Sequence, residues 1–573
     1  MRRALLLLFI IFTISLQAAE GIQWRKMSGE IFKEAKAENK MVLLNLEANW
    51  CHWCHVMHDS TYSNPEVVAY INAHFIPVSA DQDASPELSI RYKEYGWPAT
   101  IFLNADGEDI VKRAGYIAPQ WFLKLMKAIV KDPSPELPLA QTKADLNYDI
   151  DLTAKLKRVE NNFDASLDYE RGGFDQNQKY IAWDTYEYAR FFKTTDSTQQ
   201  WLNASVNGAY GLVDPVWGGV YQYSTHNDWE HLHFEKLMMV QARYLNIFLY
   251  DYLYTHNPNS LDKADQIIAY IDRFLNYDGV LYSNAQDADV IKGEHAEAFF
   301  ALNEAQRLAQ GIPAIDSNVF TERNAQIAAS LLLYGSVKNA QVPKDRAYAI
   351  ADVLLQRVAS NGLYFHADKQ RPVFSLKDQI AMANMLIALI KDKGEATNKY
   401  TQALDDLMVN IAKQYGLTNG SLKSFVGNIG LDALPIVEEN IHMGRIFNWY
   451  AEFSKDDNFK DYAEKILVYV LQDETMKTYY NEPAVLMLAQ ELKQEAFHYV
   501  NLKMEEENIA YEILKAYAPF YSYLHSYAQG DLPLDKKELF EGFEVSTTLI
   551  CTDRYCSPPV STKKEAQAFF VEP

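Results

Sequence analysis

Nine residues near the N-terminus, Trp50 to His58, read WCHWCHVMH and hold two cysteines and three histidines. A C-x-x-C pair that opens a helix has a defined chemistry. The first sulfur, Cys51, lies over unpaired backbone N–H groups and the positive end of the helix dipole. That setting lowers a thiol pKa from ~8.5 into the ~3.5–7.5 range and makes the thiolate the attacking species. Cys54, one turn on, is placed to resolve a mixed disulfide. His52, when protonated, stabilises the thiolate, and Trp53 and His55 complete the surroundings of the pair. Gly96-Trp97-Pro98 is a second sign. A cis proline, here Pro98 after Trp97, is expected to face the cysteines of a thioredoxin fold, and X-Pro bonds are the only ones that adopt cis cheaply. The same nine residues allow a metal reading. His55 and His58 are three apart on one helix face and, with Cys51 and Cys54, offer ligands suited to zinc or copper. A closed metal site and a redox pair compete for the same thiolates, and the redox reading is preferred, with no metal and no cofactor expected. An inert structural disulfide is the remaining alternative.

A second set of chemistry-bearing residues lies in YQYSTHNDWEHLHFEK (221–236) and SNAQDAD (283–289). If these loops share a face, Tyr223, Trp229, His233, Glu235, Asp287 and Asp289 line one pocket. Aromatic faces there would stack on a sugar ring, and carboxylates or histidine would do acid–base work. The plainer alternative is that the carboxylates cap helix dipoles and the aromatics are core. Cys551 and Cys556 read as a local disulfide near the C-terminus, with a second redox pair as the alternative.

The elements that must position these residues follow from hydrophobic period. Residues 23 to 130 alternate strand and helix patterns. MVLLNLEA (41–48) is a strand leading directly into the cysteine pair. Pro65 to Phe75 is a helix with Asn64 as cap and Pro65 in its first turn. ATIFLN (99–104) and DIVKRAG (109–115) form a hairpin through Asp106-Gly107. This order is that of a thioredoxin fold. From Leu152 to Gln472 the pattern is almost wholly helical, with eleven expected helices and a shorter one at 296–309. Loops with glycine followed at once or one residue later by an apolar residue recur about once per helical hairpin: GGF (172–174), GGV (218–220), DGVLYSNAQDAD (278–289), NGLYFHAD (361–368) and NGSLKSF (419–425). Six repeated hairpins imply an (α/α)6 toroid whose recurring loops share one face, although the twelfth helix has no clean place. AVLMLA (484–489), FHYVNLK (497–503) and STTLIC (546–551) read as strands and Asn508 to Tyr527 as a helix. The expected organisation is therefore a signal peptide over 1–19, a thioredoxin-like α/β domain over 20–130, a linker over 131–150, the all-α toroid over 151–478 and a small α/β segment over 479–573.

The chain of 573 residues is too long for one core. Its formal net charge of -22 opposes nucleic acid and anionic lipid, so no nucleic-acid partner is expected. Residues 1 to 19, MRRALLLLFIIFTISLQAA, combine two arginines, an apolar run and small residues for cleavage, the pattern of a secretory signal. The run is too short to span a ~30 Å hydrocarbon core comfortably, and no later stretch reads as a membrane span. The expectation is an exported, periplasmic protein in a compartment that permits disulfides.

CHWCHVM (51–57), GWPATIFL (96–103), GGVYQYS (218–224), HFEK (233–236), SNAQDAD (283–289) and the late cysteine pair, in this order, resemble the YyaL-like proteins and the spermatogenesis-associated thioredoxin-domain proteins. The resemblance implies a thioredoxin-like domain fused to a six-hairpin, glycosidase- or epimerase-like toroid. It implies no defined activity. Trp50 stands where that family carries a small hydroxyl residue, which gives the W-C-x-x-C look of redox thioredoxins. Taken together, the residues point to an exported thiol–disulfide oxidoreductase acting on a protein thiol or disulfide client, with the toroid as a platform for the client or a glycan. A carbohydrate-active enzyme with a regulatory thioredoxin-like domain, or a metal-binding or non-catalytic interaction protein, are the alternatives.

Overall fold

The computed structural model describes residues 21–136, 146–290, 296–367, 371–393, 398–504 and 508–571. The signal-like segment 1–19 and the middle of the expected linker lie outside these residues. The chain forms two compact units. The first takes Met1–Glu47, Trp53–Ala80 and Tyr95–Leu139; the second takes Ala48–His52, Asp81–Glu94 and Ala140–Pro573.

The first unit is a thioredoxin-like α/β domain. Its four strands run in the order Phe75–Asp81, Met41–Glu47, Ala99–Leu103, Asp109–Ala114. The second and third pair antiparallel with Leu44 opposite Ile101, and the third and fourth form the hairpin foreseen at Asp106-Gly107. Asn104 closes that turn by accepting from the backbone N–H of Asp106 and Glu108, and Gly107 takes φ 85°. Helix Pro65–His74 starts as its sequence dictates: Asn64 accepts from Glu66 N and Val67 N, and Pro65 fills a position with no N–H to satisfy. The core between sheet and helices holds Leu43, Met57, Phe75, Phe102, Phe122 and Met126. The Trp97–Pro98 peptide is cis.

The second unit is dominated by a ring of paired helices. Six inner helices touch in sequence: Trp183–Glu187 continued through Tyr188–Phe192, Met238–Thr255, Thr321–Lys338, Leu376–Lys393, Val437–Ser454 and Ala484–Glu491, the last closing onto the first. Six outer helices, Leu152–Ser166, Asp196–Ala209, Pro258–Tyr270, Gln341–Leu355, Asn398–Gln414 and Asp457–Val470, alternate with them along the chain. The twelfth helix is therefore Ala484–Glu491, which the sequence reading made a strand. Ala, Leu and Met are strong helix formers, but this segment is buried along almost its whole length, so it carries no amphipathic period to betray it.

The recurring glycine loops each join an outer helix to the next inner one, and one device repeats in them. A buried amide on the inner helix hydrogen-bonds both the N–H and the C=O of a residue just past the glycine. Gln241 holds Val220, Asn324 holds Tyr282, Gln379 holds Tyr364 and Asn440 holds Leu422. Gly219, Gly279, Gly362 and Gly420 take φ between 71° and 87°, the left-handed region that only glycine enters without strain. The weak sequence repeat is thus a repeat of turn chemistry.

Three further boundaries differ from expectation. The helix expected over 232–254 begins at Met238, because His231–His233 and Lys236–Leu237 are claimed by strand pairs. The helix expected over 296–309 is two short pieces, Glu297–Phe300 and Glu304–Gln310. The helix expected over 508–527 ends at Tyr517, two residues before Pro519, and Ser522–Ala528 becomes a strand. That strand pairs parallel to Phe497–Lys503, which pairs antiparallel to Thr547–Cys551. Cys551 and Cys556 close this small sheet with a disulfide across an antiparallel bridge.

Candidate functional site

Strand Met41–Glu47 ends just before the cysteine pair, and helix His52–Val56 begins directly after Cys51 and runs on through Met57–Tyr62 with a wider turn. Both Cys51 and Cys54 are disulfide-bonded. They are buried, with 6% and 4% of their surface exposed, whereas Trp53 between them is 45% exposed and stacks on Tyr116. His55 is buried in the same helix.

The residues around Cys51 are fixed by the second unit, to which Ala48–His52 belongs. His52 Nδ1 lies 2.7 Å from Asp289 Oδ2. A carboxylate only accepts, so Nδ1 carries the proton. Trp50 Nε1 donates to Asp83 Oδ2 at 2.6 Å. The same carboxylate accepts from Asn284 Nδ2 at 2.8 Å and from Arg323 Nη2 at 3.0 Å. The Asp83 carbonyl accepts from His366 Nε2, whose Nδ1 faces Asp378. Burial works against charge on His366, but the Asp378 carboxylate outweighs it and raises its pKa.

The loops singled out in the sequence gather here. Tyr223 and His233 pair across the ribbon Tyr223–Thr225/His231–His233 and stack with ring centres 4.3 Å apart. Burial lowers the pKa of His233, and the charge of His52 lowers it further, which places the two histidines in one neighbourhood. Burial, then the Glu235 carboxylate, pushes Tyr223 up to about 12. In the Asp-Ala-Asp turn, Asp287 Oδ1 accepts from Asp289 N at 3.0 Å, and both side chains are buried. Trp229 stands apart: its ring covers Gly208 and its Nε1 donates to Arg171 O. The lysine of HFEK, Lys236, is a core residue paired with Asp214 at 2.7 Å, beside Arg307.

None of these residues lines the large cavity of the second unit. That cavity, of about 990 Å³, is lined by the inner helices together with residues of 478–483 and 515–520. Its polar wall carries Asp184, Glu438, Glu439, His442 and Glu482, with Trp183 and Tyr250 among its aromatics. His442 Nε2 lies 3.1 Å from Asp184 Oδ2. Burial alone would lower the His442 pKa, but Asp184 and then Glu438 overcome it and raise it to about 9. Glu439 is 4% exposed, and neither of its carboxyl oxygens meets a hydrogen-bond partner among the described residues. Burial, reinforced by Glu438 and Glu322, pushes its pKa up to about 8, so it is held neutral near pH 7. Burial and repulsion from Glu438 and Asp184 do the same to Glu482. Sequence reading missed this group. The available signal was EENIH (438–442), an acidic doublet with histidine three and four residues on, one helix face.

Comparisons with known proteins follow the same division. Residues 13–131 match the family described as "Thioredox_DsbH: Protein of unknown function, DUF255". Mouse (Mus musculus) spermatogenesis-associated protein 20 is 26% identical over 314 residues, 48% of this chain and 39% of its own length. The disulfide bond reductase DsbH of Chlamydia pneumoniae is 25% identical over 107 residues, 17% of this chain and 64% of its own. The solved cellobiose 2-epimerase from Spirochaeta thermophila DSM 6192 covers 60% of this chain and 96% of its own, at 12% identity and a TM-score of 0.47. The chain thus takes in well under half of the mouse relative. Its N-terminal part is similar to the Thioredox_DsbH family, and the chain resembles spermatogenesis-associated protein 20 over about half of its own length.

Proposed function

We propose that the protein is an exported thiol–disulfide oxidoreductase with Cys51 as nucleophile and Cys54 as resolving residue. One observation carries the reading: an oxidised C-x-x-C pair opens the first helix after the leading strand of a thioredoxin-like domain. In the oxidising direction, a client thiolate attacks Cys51, forming a mixed disulfide and expelling the Cys54 thiolate. The second client thiolate attacks the client sulfur, leaves as a client disulfide and expels the Cys51 thiolate. Two electrons pass from client to protein, and the reverse sequence reduces a client disulfide. The test is dithiothreitol oxidation and insulin reduction by the full chain. Cys51→Ala should abolish both, and Cys551→Ala should leave both intact. Exchange retained in Cys51→Ala sinks the reading.

A second reading concerns the ring cavity. Glu439, buried in its wall without a hydrogen-bond partner, favours a bound polar ligand that supplies one. Carboxyl groups beside Trp183 and Tyr250 suit a neutral polyhydroxylated molecule, stacked and hydrogen-bonded. A neutral disaccharide such as cellobiose should raise the melting temperature of wild type and not of Glu439→Leu. Equal behaviour of the two proteins removes this reading without touching the first.

A further inference from the structure

His52, between the two cysteines, belongs to the second unit. Asp289 Oδ2 lies 2.7 Å from its Nδ1, and the Asp289 side chain is 1% exposed. Asp289 in turn is held by its own backbone N–H on Asp287 Oδ1. His233 bears on the same imidazole from the facing ribbon. A buried carboxylate fixed from behind can hold a ring in one orientation and one tautomer, as carboxylates do for catalytic and metal-bound histidines. The Asp-Ala-Asp turn and the HFEK histidine therefore converge on His52, and neither lines the ring cavity.

We propose that Asp289 is a positioning residue for the redox pair: it holds the His52 imidazole in one orientation next to Cys51, where the ring can stabilise the Cys51 thiolate. This rests on the thiol–disulfide reading above. When a dithiol reduces the pair, an external thiolate attacks Cys51 and expels Cys54, and the second external thiolate then expels Cys51 as its thiolate. Two electrons enter the protein and the dithiol leaves as a disulfide. The departing Cys51 thiolate is the charge an imidazolium beside it would stabilise. The carboxylate–histidine pair accordingly makes the protein a stronger oxidant. The groups that share this neighbourhood are His233 on the ribbon and Asp287 in the same turn as Asp289.

The experiment is a redox titration of the full chain in dithiothreitol buffers, with the pH dependence of alkylation of the reduced protein measured on the same samples. Asp289→Asn should lower the equilibrium constant for reduction about tenfold, a shift of about 30 mV toward more negative potential, and should raise the pH at which Cys51 becomes reactive. In a His52→Gln background, Asp289→Asn should change neither quantity further. Wild type that exchanges normally, with an Asp289→Asn potential within twofold of it, overturns this role and leaves the oxidoreductase reading standing. An equal shift in both backgrounds also overturns it, because Asp289 would then act without His52. If wild type itself does not exchange, both fall. If Asp289→Asn does not fold, His52→Gln alone decides: it should shift the potential in the same direction, and an unchanged value rejects the proposal.

Discussion

Two acid-rich regions of the second unit differ in one respect. Around Trp50 and His52, the buried carboxylate of Asp83 accepts from Trp50, Asn284 and Arg323, and Asp289 faces His52. In the ring cavity, Glu439 is as deeply buried and has no partner among the described residues. A satisfied buried carboxylate holds its neighbours in place, and removing it strands their donors. An unsatisfied one is a liability to the empty protein, which it sheds by staying protonated. The first region is built to position, the second to bind.

The contrast predicts opposite signs on substitution. Asp83→Ala should show the largest effect, a loss of about 3 kcal/mol, the low end for one partner of a buried ion pair. The low end applies because Arg323 keeps Glu322 at 2.8 Å. Denaturant unfolding checks it, and a loss below about 1 kcal/mol would mean that the Asp83 cluster positions little. Next comes Asn440→Leu, one residue from Glu439 on the same helix. It strands the buried N–H and C=O of Leu422, at about 1–3 kcal/mol for such unsatisfied groups. Neighbouring positions should thus answer in opposite directions, since Glu439→Gln should stabilise.

The Glu439 effect has a pH signature. Its folded pKa is raised from 4.5 to about 8. Between those values the folded state holds a proton that the unfolded state has lost, so this group makes stability fall as pH rises from about 4.5 to about 8. Glu439→Gln removes that dependence, and its advantage over wild type should grow by up to ~1.4 kcal/mol per pH unit in that window. Melting temperatures of both proteins at pH 5, 6.5 and 8 test it. His442 acts in the same sense over a higher pH window. Its raised pKa contributes stability that is full below about 6.5 and lost as pH rises through about 9. A wild-type difference that is flat from pH 5 to 8 would show that Glu439 is not held neutral.

Much of this was legible beforehand. The cysteine pair, the Asn64-Pro65 cap, the Asp106-Gly107 hairpin and the recurring glycine loops are local signals, each with a chemistry that acts within a few residues. The ring itself was legible as a repeat of helical hairpins, and only its fully buried helix Ala484–Glu491 hid, because burial all round erases periodicity. The site was harder. Tyr223, His233, Asp287 and Asp289 do gather, but beside His52, residues distant in sequence, and no pattern within a segment states that. The cavity group Asp184, His442 and Glu439 is assembled from inner helices far apart in the chain, and its residues look like ordinary helix-start acids when read singly. Pairing across the ring is a property of the fold, not of any stretch.

Trp229 gives the smallest and sharpest test of that division. Its position in YQYSTHNDWEHLHFEK makes it look like a stacking platform for a ligand. Its ring instead lies against Gly208, where an added Cβ would fall 2.3 Å from the indole nitrogen, and that nitrogen donates to the Arg171 carbonyl at 2.7 Å. A ring held on one face by backbone and by a hydrogen bond at its edge is a fastener between helix and loop. Trp229→Phe keeps the ring and loses the donor, which should cost about 0.5–1.5 kcal/mol. Because Trp229 does not line the cavity and its ring is taken up by Gly208 and the Arg171 carbonyl, the variant should leave both the disaccharide-induced melting shift and the Cys51–Cys54 potential at their wild-type values. A changed ligand response in a protein of near-normal stability would return this residue to the binding region and blur the separation between the positioning cluster and the cavity.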